Sequence, residues 1–170
     1  MKVLQSFRNI SWLPKPNTIS EVLSSTLPSI EKVTTVFGVV TYKGTVLLAH
    51  LYRGWDLPGG HVEEGEGFTE ALEREVFEET KVRIHQPTLV GYQKLEILAE
   101  KPENYRYPYP DSYQLHFHAE VKEICDFEGD QETKGRDFFS FDQAAQLPNL
   151  QHRLGLIRFV LRNQKKKPHS

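Results

Sequence analysis

The stretch "GGHVEEGEGFTEALEREVFEET", residues 59–80, places eight glutamates between Glu63 and Glu79. The chain as a whole has a formal net charge of only -2. From Gly67 to Lys81 the spacing of apolar residues reads as one helix. On a helical wheel at about 100° per residue, Phe68, Ala71, Leu72 and Val76 share one arc. Glu75 lies within that arc, Glu79 beside it and Glu78 at its edge. Glu70 and Glu73 fall on the far side, where glutamate suits a wet surface.

Two or three carboxylates therefore project from the half of the helix that packs inward. Carboxylates at i and i+4 repel, and burying ionised ones costs several kcal/mol each unless something compensates. One reading is a solvated acidic face rich in glutamate for its helix propensity. The other is a divalent cation, since hard ions such as Mg²⁺ take oxygen ligands. Pro58, Gly59 and Gly60 precede the helix. That tripeptide is either a plain turn or a place where backbone approaches a ligand closely and offers a carbonyl oxygen.

Working outward, "KVTTVFGVVTY" and "TVLLAHLY" read as strands joined at Lys43–Gly44. "TLVGYQKLEIL" and "SYQLHFHAEVKEI" are further strands. The second puts Tyr113, Leu115, Phe117 and Ala119 on one face and Gln114, His116, His118 and Glu120 on the other. "RDFFSFD" is a short strand, and Asp142 is placed to cap the helix "QAAQL". "NLQHRLGLIRFVLRN" is an amphipathic helix with Leu150, Leu154, Ile157 and Val160 in its buried stripe. Upstream, "SWLPKPN" is a proline-restricted connector, and "TISEVLSSTLPSI" is read as a short helix ending before Pro28.

At 170 residues, with 38% hydrophobic and 26% charged side chains, the chain suits one globular domain. Residues 1–32 are expected as an extension packed on the domain, 33–163 as the domain itself and 164–170 as a basic disordered tail. The near-neutral charge points to neither a nucleic-acid nor a membrane partner. No run approaches the roughly 18 apolar residues of a membrane span. Cys125 is alone, so no internal disulfide forms, which favours a cytoplasmic setting.

The residues from Gly60 to Val82 resemble the Nudix box: Gly, five residues, Glu, seven residues, then Arg-Glu-aliphatic-any-Glu-Glu-any-Gly-aliphatic. Gly60, Glu66, Arg74, Glu75, Glu78 and Glu79 match, and Lys81 stands where the late glycine belongs. The resemblance implies an α/β fold, a Nudix-type α/β/α sandwich with a mixed sheet. It also implies Mg²⁺-dependent (or Mn²⁺-dependent) hydrolysis of a pyrophosphate bond in a nucleotide-type small molecule. It further implies that Glu75, Glu78, Glu79 and the Gly60 carbonyl hold metal and that Arg74 and Glu66 support them. Glu78 or Glu132 is then the proton acceptor, with Glu128 and Asp130 as neighbours of the latter. Trp55 resembles the aromatic residue that precedes "LPGG".

Substrate contacts are expected from Arg53, Trp55, Tyr105 and Arg106. The tyrosine-rich loop "YRYPYPDSY" also reads as surface packing or a homodimer contact. Lys43 flanks the hairpin beside Arg53. His116 and His118 read as ordinary sheet-face histidines. Phe77 is expected to pack on the extension or on another subunit. Lys81 is expected to end the helix in a left-handed conformation, which costs lysine about 1 kcal/mol. The alternative from a different class is a catalytically weak nucleotide-binding or regulatory domain of the same fold.

Overall fold

A computed structural model describes residues 1–167. Among these residues nine strands form one sheet: β1 (Lys2–Arg8), β2 (Asn17–Leu23), β3 (Val33–Tyr42), β4 (Thr45–Leu51), β5 (Gly54–Asp56), β6 (Gly59–His61), β7 (Val82–Ile97), β8 (Asp111–Ile124) and β9 (Thr133–Phe139). The order is β1-β2-β7-β8-β3-β4-β5, with β6 on β3 and β9 on β4. Among the described residues only the β3–β8 pair is parallel, so the sheet is mixed.

Helix α1 (Phe68–Thr80) packs on one face. Helices α2 (Phe141–Ala144) and α3 (Leu154–Lys166) pack on the other. The alternation of side chains along a strand produces this layering. Val36, Val40, Leu47 and Leu115 face Leu72 and Val76 of α1. Val39 and Leu48 face Leu156, Ile157 and Val160 of α3. No helix among the described residues is long and apolar enough to cross a membrane.

The β3–β4 hairpin turns at Lys43–Gly44 but pairs only at Thr41–Val46 and Tyr42–Thr45. Beyond those pairs the strands part. β3 then pairs with β6, and β4 with β5 and β9. This split inserts Gly59 and Gly60 into the sheet directly beneath α1.

The segment read as an N-terminal helix is the strand β2, paired along its whole length with β7. Thr18, Ile19 and Val22 are β-branched, and Ile19 and Val22 are buried. Pairing also satisfies an edge of β7 that would otherwise expose its backbone groups. β7 starts at Val82, earlier than expected. It runs past Pro87 by shifting register between His85 and Thr88, since proline has no N–H to give the ladder.

Ser140, not Asp142, caps α2. Its Oγ accepts from the Gln143 amide at 3.2 Å, and the Gln143 side chain returns a bond to the Ser140 amide at 2.9 Å. Helix α3 continues through Lys166, into the stretch expected as a tail. Gln164 reaches His118 there at 3.3 Å, and lysines suit a helix C-terminus. Residues 168–170 of that expected tail lie outside the described residues.

Candidate active site

Helix α1 starts after Gly67 and ends at Lys81, whose φ of 57° and ψ of 30° are left-handed. The Lys81 amide donates to the Phe77 carbonyl at 2.9 Å. Lysine thus takes the glycine conformation, and the helix presents its carboxylates as the wheel requires. Glu70 and Glu73 are exposed, while Glu75 and Glu79 are partly withdrawn from water.

Glu79 is the most enclosed of these acids. Its Oε1 accepts the Gly59 amide at 2.8 Å. Burial raises its pKa to about 8, against that hydrogen bond and the positive charge of Arg53. Burial also raises Glu75, although Arg74 lies beside it. Gly60 lies so close that a Cβ there would stand 2.7 Å from the Glu75 carboxyl carbon. A Cβ on Gly59 would collide with the backbone of β3. Neither glycine has a positive φ. The pair serves close approach rather than a left-handed turn.

Arg74 ties the cluster together. It grips Glu66 through two bonds, Nε to Oε2 at 2.7 Å and Nη2 to Oε1 at 2.9 Å. It also reaches Glu75 at 2.9 Å, Glu78 at 3.3 Å and the His61 carbonyl at 3.2 Å. The guanidinium holds Glu66 below the usual carboxylate range. This bidentate geometry is specific to arginine.

A cavity of about 510 Å³ opens over the helix, lined by Arg53, Gly59, Glu75, Glu78, Glu79 and Glu132 among others. Glu132 arrives from the loop before β9. There Asp130 Oδ1 accepts the amides of Glu132 and Thr133 at 2.8 and 2.7 Å and tightens the turn. Asp130, Tyr52 and Lys81 line the cavity too. Their types and positions gave little signal in the sequence beyond proximity to Glu132 and to the helix end.

Several expected contacts fall elsewhere. The Trp55 ring stacks on His50 at 4.6 Å and packs against Phe139 at 5.0 Å. It is half-buried against the core and does not line the carboxylate cavity. Arg106 is exposed, whereas Tyr105 lines a second cavity with Trp12 and Tyr107. Lys43 covers the ring of its neighbour Tyr42. Phe77 is covered by Arg83, 4.3 Å above its ring. His116 is fully buried, stacked on Phe37 and bonded to Arg153 at 2.8 Å.

Among the described residues, no three His, Cys, Asp or Glu side chains form a ready-made metal cage. Arg74 draws Glu75 and Glu78 towards itself. The donor set nonetheless suits a hard divalent cation. It is all oxygen, and Glu79 is a partly buried acid whose one hydrogen-bond partner among the described residues is an amide.

The NUDIX domain profile matches residues 32–159. The chain belongs to the NUDIX family. The NUDIX chain shares its fold with the Bacillus subtilis pyrophosphohydrolase BsRppH, at TM-score 0.64 and 22% identity over 92% of this chain and 98% of that one. It also matches an ADP-ribose pyrophosphatase from Streptococcus suis, at TM-score 0.57 and 18% identity over 82% and 95% of the two chains. A C. elegans Ap4A hydrolase matches at TM-score 0.57 and 19% identity over 78% and 99%. At these identities the likeness is one of fold. No curated protein matches the NUDIX chain by sequence.

Proposed function

We propose that this protein hydrolyses a pyrophosphate bond in a nucleotide derivative, with water attacking phosphorus. The observation that carries the reading is Glu79: a largely buried acid opening onto a cavity shared with Glu75, Glu78, Glu132 and Arg53. Glu75, Glu78, Glu79 and the Gly60 carbonyl are the residues that would hold Mg²⁺ or Mn²⁺. Such an ion supplies charge neutralisation for the phosphates and a lowered pKa for a bound water.

The remaining tasks fall to the chain itself. Arg53 presents a guanidinium at the cavity wall, held by Asp56 at 3.2 Å, and meets a phosphate oxygen. Arg74 and Glu66 are positioning residues that fix Glu75 and Glu78 against mutual repulsion. Glu78, Asp130 and Glu132 are the exposed carboxylates of the cavity. Asp130 Oδ1 already accepts two amides, so Glu132, or Glu78 on release from Arg74, accepts the proton of the attacking water. Comparing Glu78→Gln with Glu132→Gln assigns that role, because loss of the base flattens the acidic limb of the rate profile. The named activities of the fold relatives agree in one respect, that BsRppH and the Streptococcus suis protein are pyrophosphohydrolases or pyrophosphatases.

The decisive experiment is an assay of nucleoside triphosphates, ADP-ribose, nucleotide sugars and dinucleoside polyphosphates with and without Mg²⁺. We expect metal-dependent release of phosphate, pyrophosphate or a nucleoside monophosphate from at least one class. No release from any class overturns the hydrolase reading in favour of a binding or regulatory domain.

A further inference from the structure

Three of the four buried side-chain atoms lacking a hydrogen bond among the described residues are Thr35 Oγ1, Gln114 Oε1 and Arg153 Nε. All three residues line one cavity of about 460 Å³. Thr35 is 7% exposed and Arg153 is 5% exposed. Arg153 Nε lies 3.4 Å from Asp56 Oδ1 without hydrogen-bond geometry. Buried polar atoms are ordinarily satisfied, so a convergence of unmet ones points to something that completes them.

The surroundings say what kind of group this is. The cavity touches the carboxylate site through Arg53 and Gly59, which line both. It also meets a smaller cavity of about 300 Å³, and Trp12, Thr35, His61 and Gln114 line both of these. Aromatic rings surround the junction. Trp12 lies 6.3 Å from His152, and His61 stacks on Tyr107 at 5.9 Å and 7°. Burial pushes the His152 imidazole down to about 4, so its ring is neutral at neutral pH. Rings that stack, with an amide and a hydroxyl that both donate and accept, suit a flat heterocycle with polar edges.

We propose that Trp12 stacks on the nucleobase of the substrate and that Thr35 and Gln114 bond its edge. This rests on the pyrophosphatase reading for the identity of the phosphate end. Trp12 comes from the β1–β2 connector, which precedes the NUDIX match at residue 32. The N-terminal extension is therefore a specificity element. Phosphates lie over Gly59 and Arg53, and the base points away from the carboxylates towards Trp12.

The test is binding without metal. AMP, GMP, CMP and UMP are titrated in EDTA against ribose 5-phosphate, which lacks a base, following tryptophan fluorescence and calorimetric heat. At least one nucleotide should bind ten-fold or more tightly than ribose 5-phosphate and quench Trp12, which is 52% exposed. Trp12→Ala should raise its Kd at least ten-fold with an unchanged melting temperature. Trp12→Phe should keep binding within about three-fold and lose the quench. Thr35→Val, which preserves shape, should weaken the preferred base and leave ribose 5-phosphate unaffected. Equal affinity for ribose 5-phosphate and every nucleotide overturns the proposal, as does an unchanged Kd in Trp12→Ala. Nucleotide binding without turnover would sink the hydrolase reading alone. Turnover indifferent to Trp12 and Thr35 would sink the subsite alone.

Discussion

Two carboxylates withdrawn from water sit in this molecule under opposite conditions. Glu21, on β2, is fully buried and sealed. It accepts from Gln5 and from the Leu156 amide, and a Cβ on Gly155 would stand 2.9 Å from its Oε1. It therefore caps α3, whose own N-cap residue, Arg153, supplies no side-chain bond. Glu79, on α1, is mostly buried but opens onto a cavity and holds one amide. Both pKa values are raised by burial. The structure answers one charge internally and leaves the other to be answered from outside. An acid whose partners are all internal is architecture, and one facing a cavity half-satisfied is chemistry.

Three predictions break or sharpen that contrast. The largest concerns Glu79→Gln, which should cut turnover by two or more orders of magnitude while the fold persists. Its stability should also respond to pH in a definite direction. Glu79 titrates near 8 in the folded protein against an ordinary 4.5. Its contribution is thus full below about pH 4.5 and lost as pH rises through about 8. Metal-free wild type should lose melting temperature over that window, and Glu79→Gln should lose less. Equal slopes in a thermal melt series would refute the assigned burial.

The second is Glu21→Ala. It should cost about 2 kcal/mol of unfolding free energy, by leaving the first turn of α3 and Gln5 without an acceptor. Chemical denaturation measures this, and turnover per folded molecule should stay within a few-fold. If Glu21→Ala abolished turnover without loss of stability, the division between the two acids would be wrong. The smallest effect is Lys81→Gly. Relieving a left-handed lysine should stabilise by up to about 1 kcal/mol, with turnover nearly unchanged.

The cavity-facing half of this comparison was legible in the chain. Periodicity placed Glu75 and Glu79 inward and Glu70 and Glu73 outward. The match from Gly60 to Val82 named the family that the domain profile supports. The hairpin, the alternation of β8 and the stripe of α3 were readable because each is local. Leu154 is only half-buried, however, and Leu156 and Leu161 join the stripe.

The structural half was not legible. "TISEV" carries a helix-compatible pattern, and pairing with β7 on one side and β1 on the other makes it a strand. Nothing in the sequence around Glu21 marks it as buried; α3, well over a hundred residues later, brings its N-terminus to it. Trp55 sat where a ligand contact is expected, and its half-buried ring packs on His50 and Phe139, outside the carboxylate cavity. Trp12 and Gln114 carried no shared signal, because only β2, β8 and the split of the β3–β4 hairpin bring them near one cavity.

The sequence by itself determined the acidic helix, its inward carboxylates and the glycines that let backbone approach them, since these follow from spacing along one element. The tertiary structure decided which acids are answered within the protein and which face a cavity. That depends on what lies across the fold, and a side chain's desolvation is set by neighbours that its own segment does not contain.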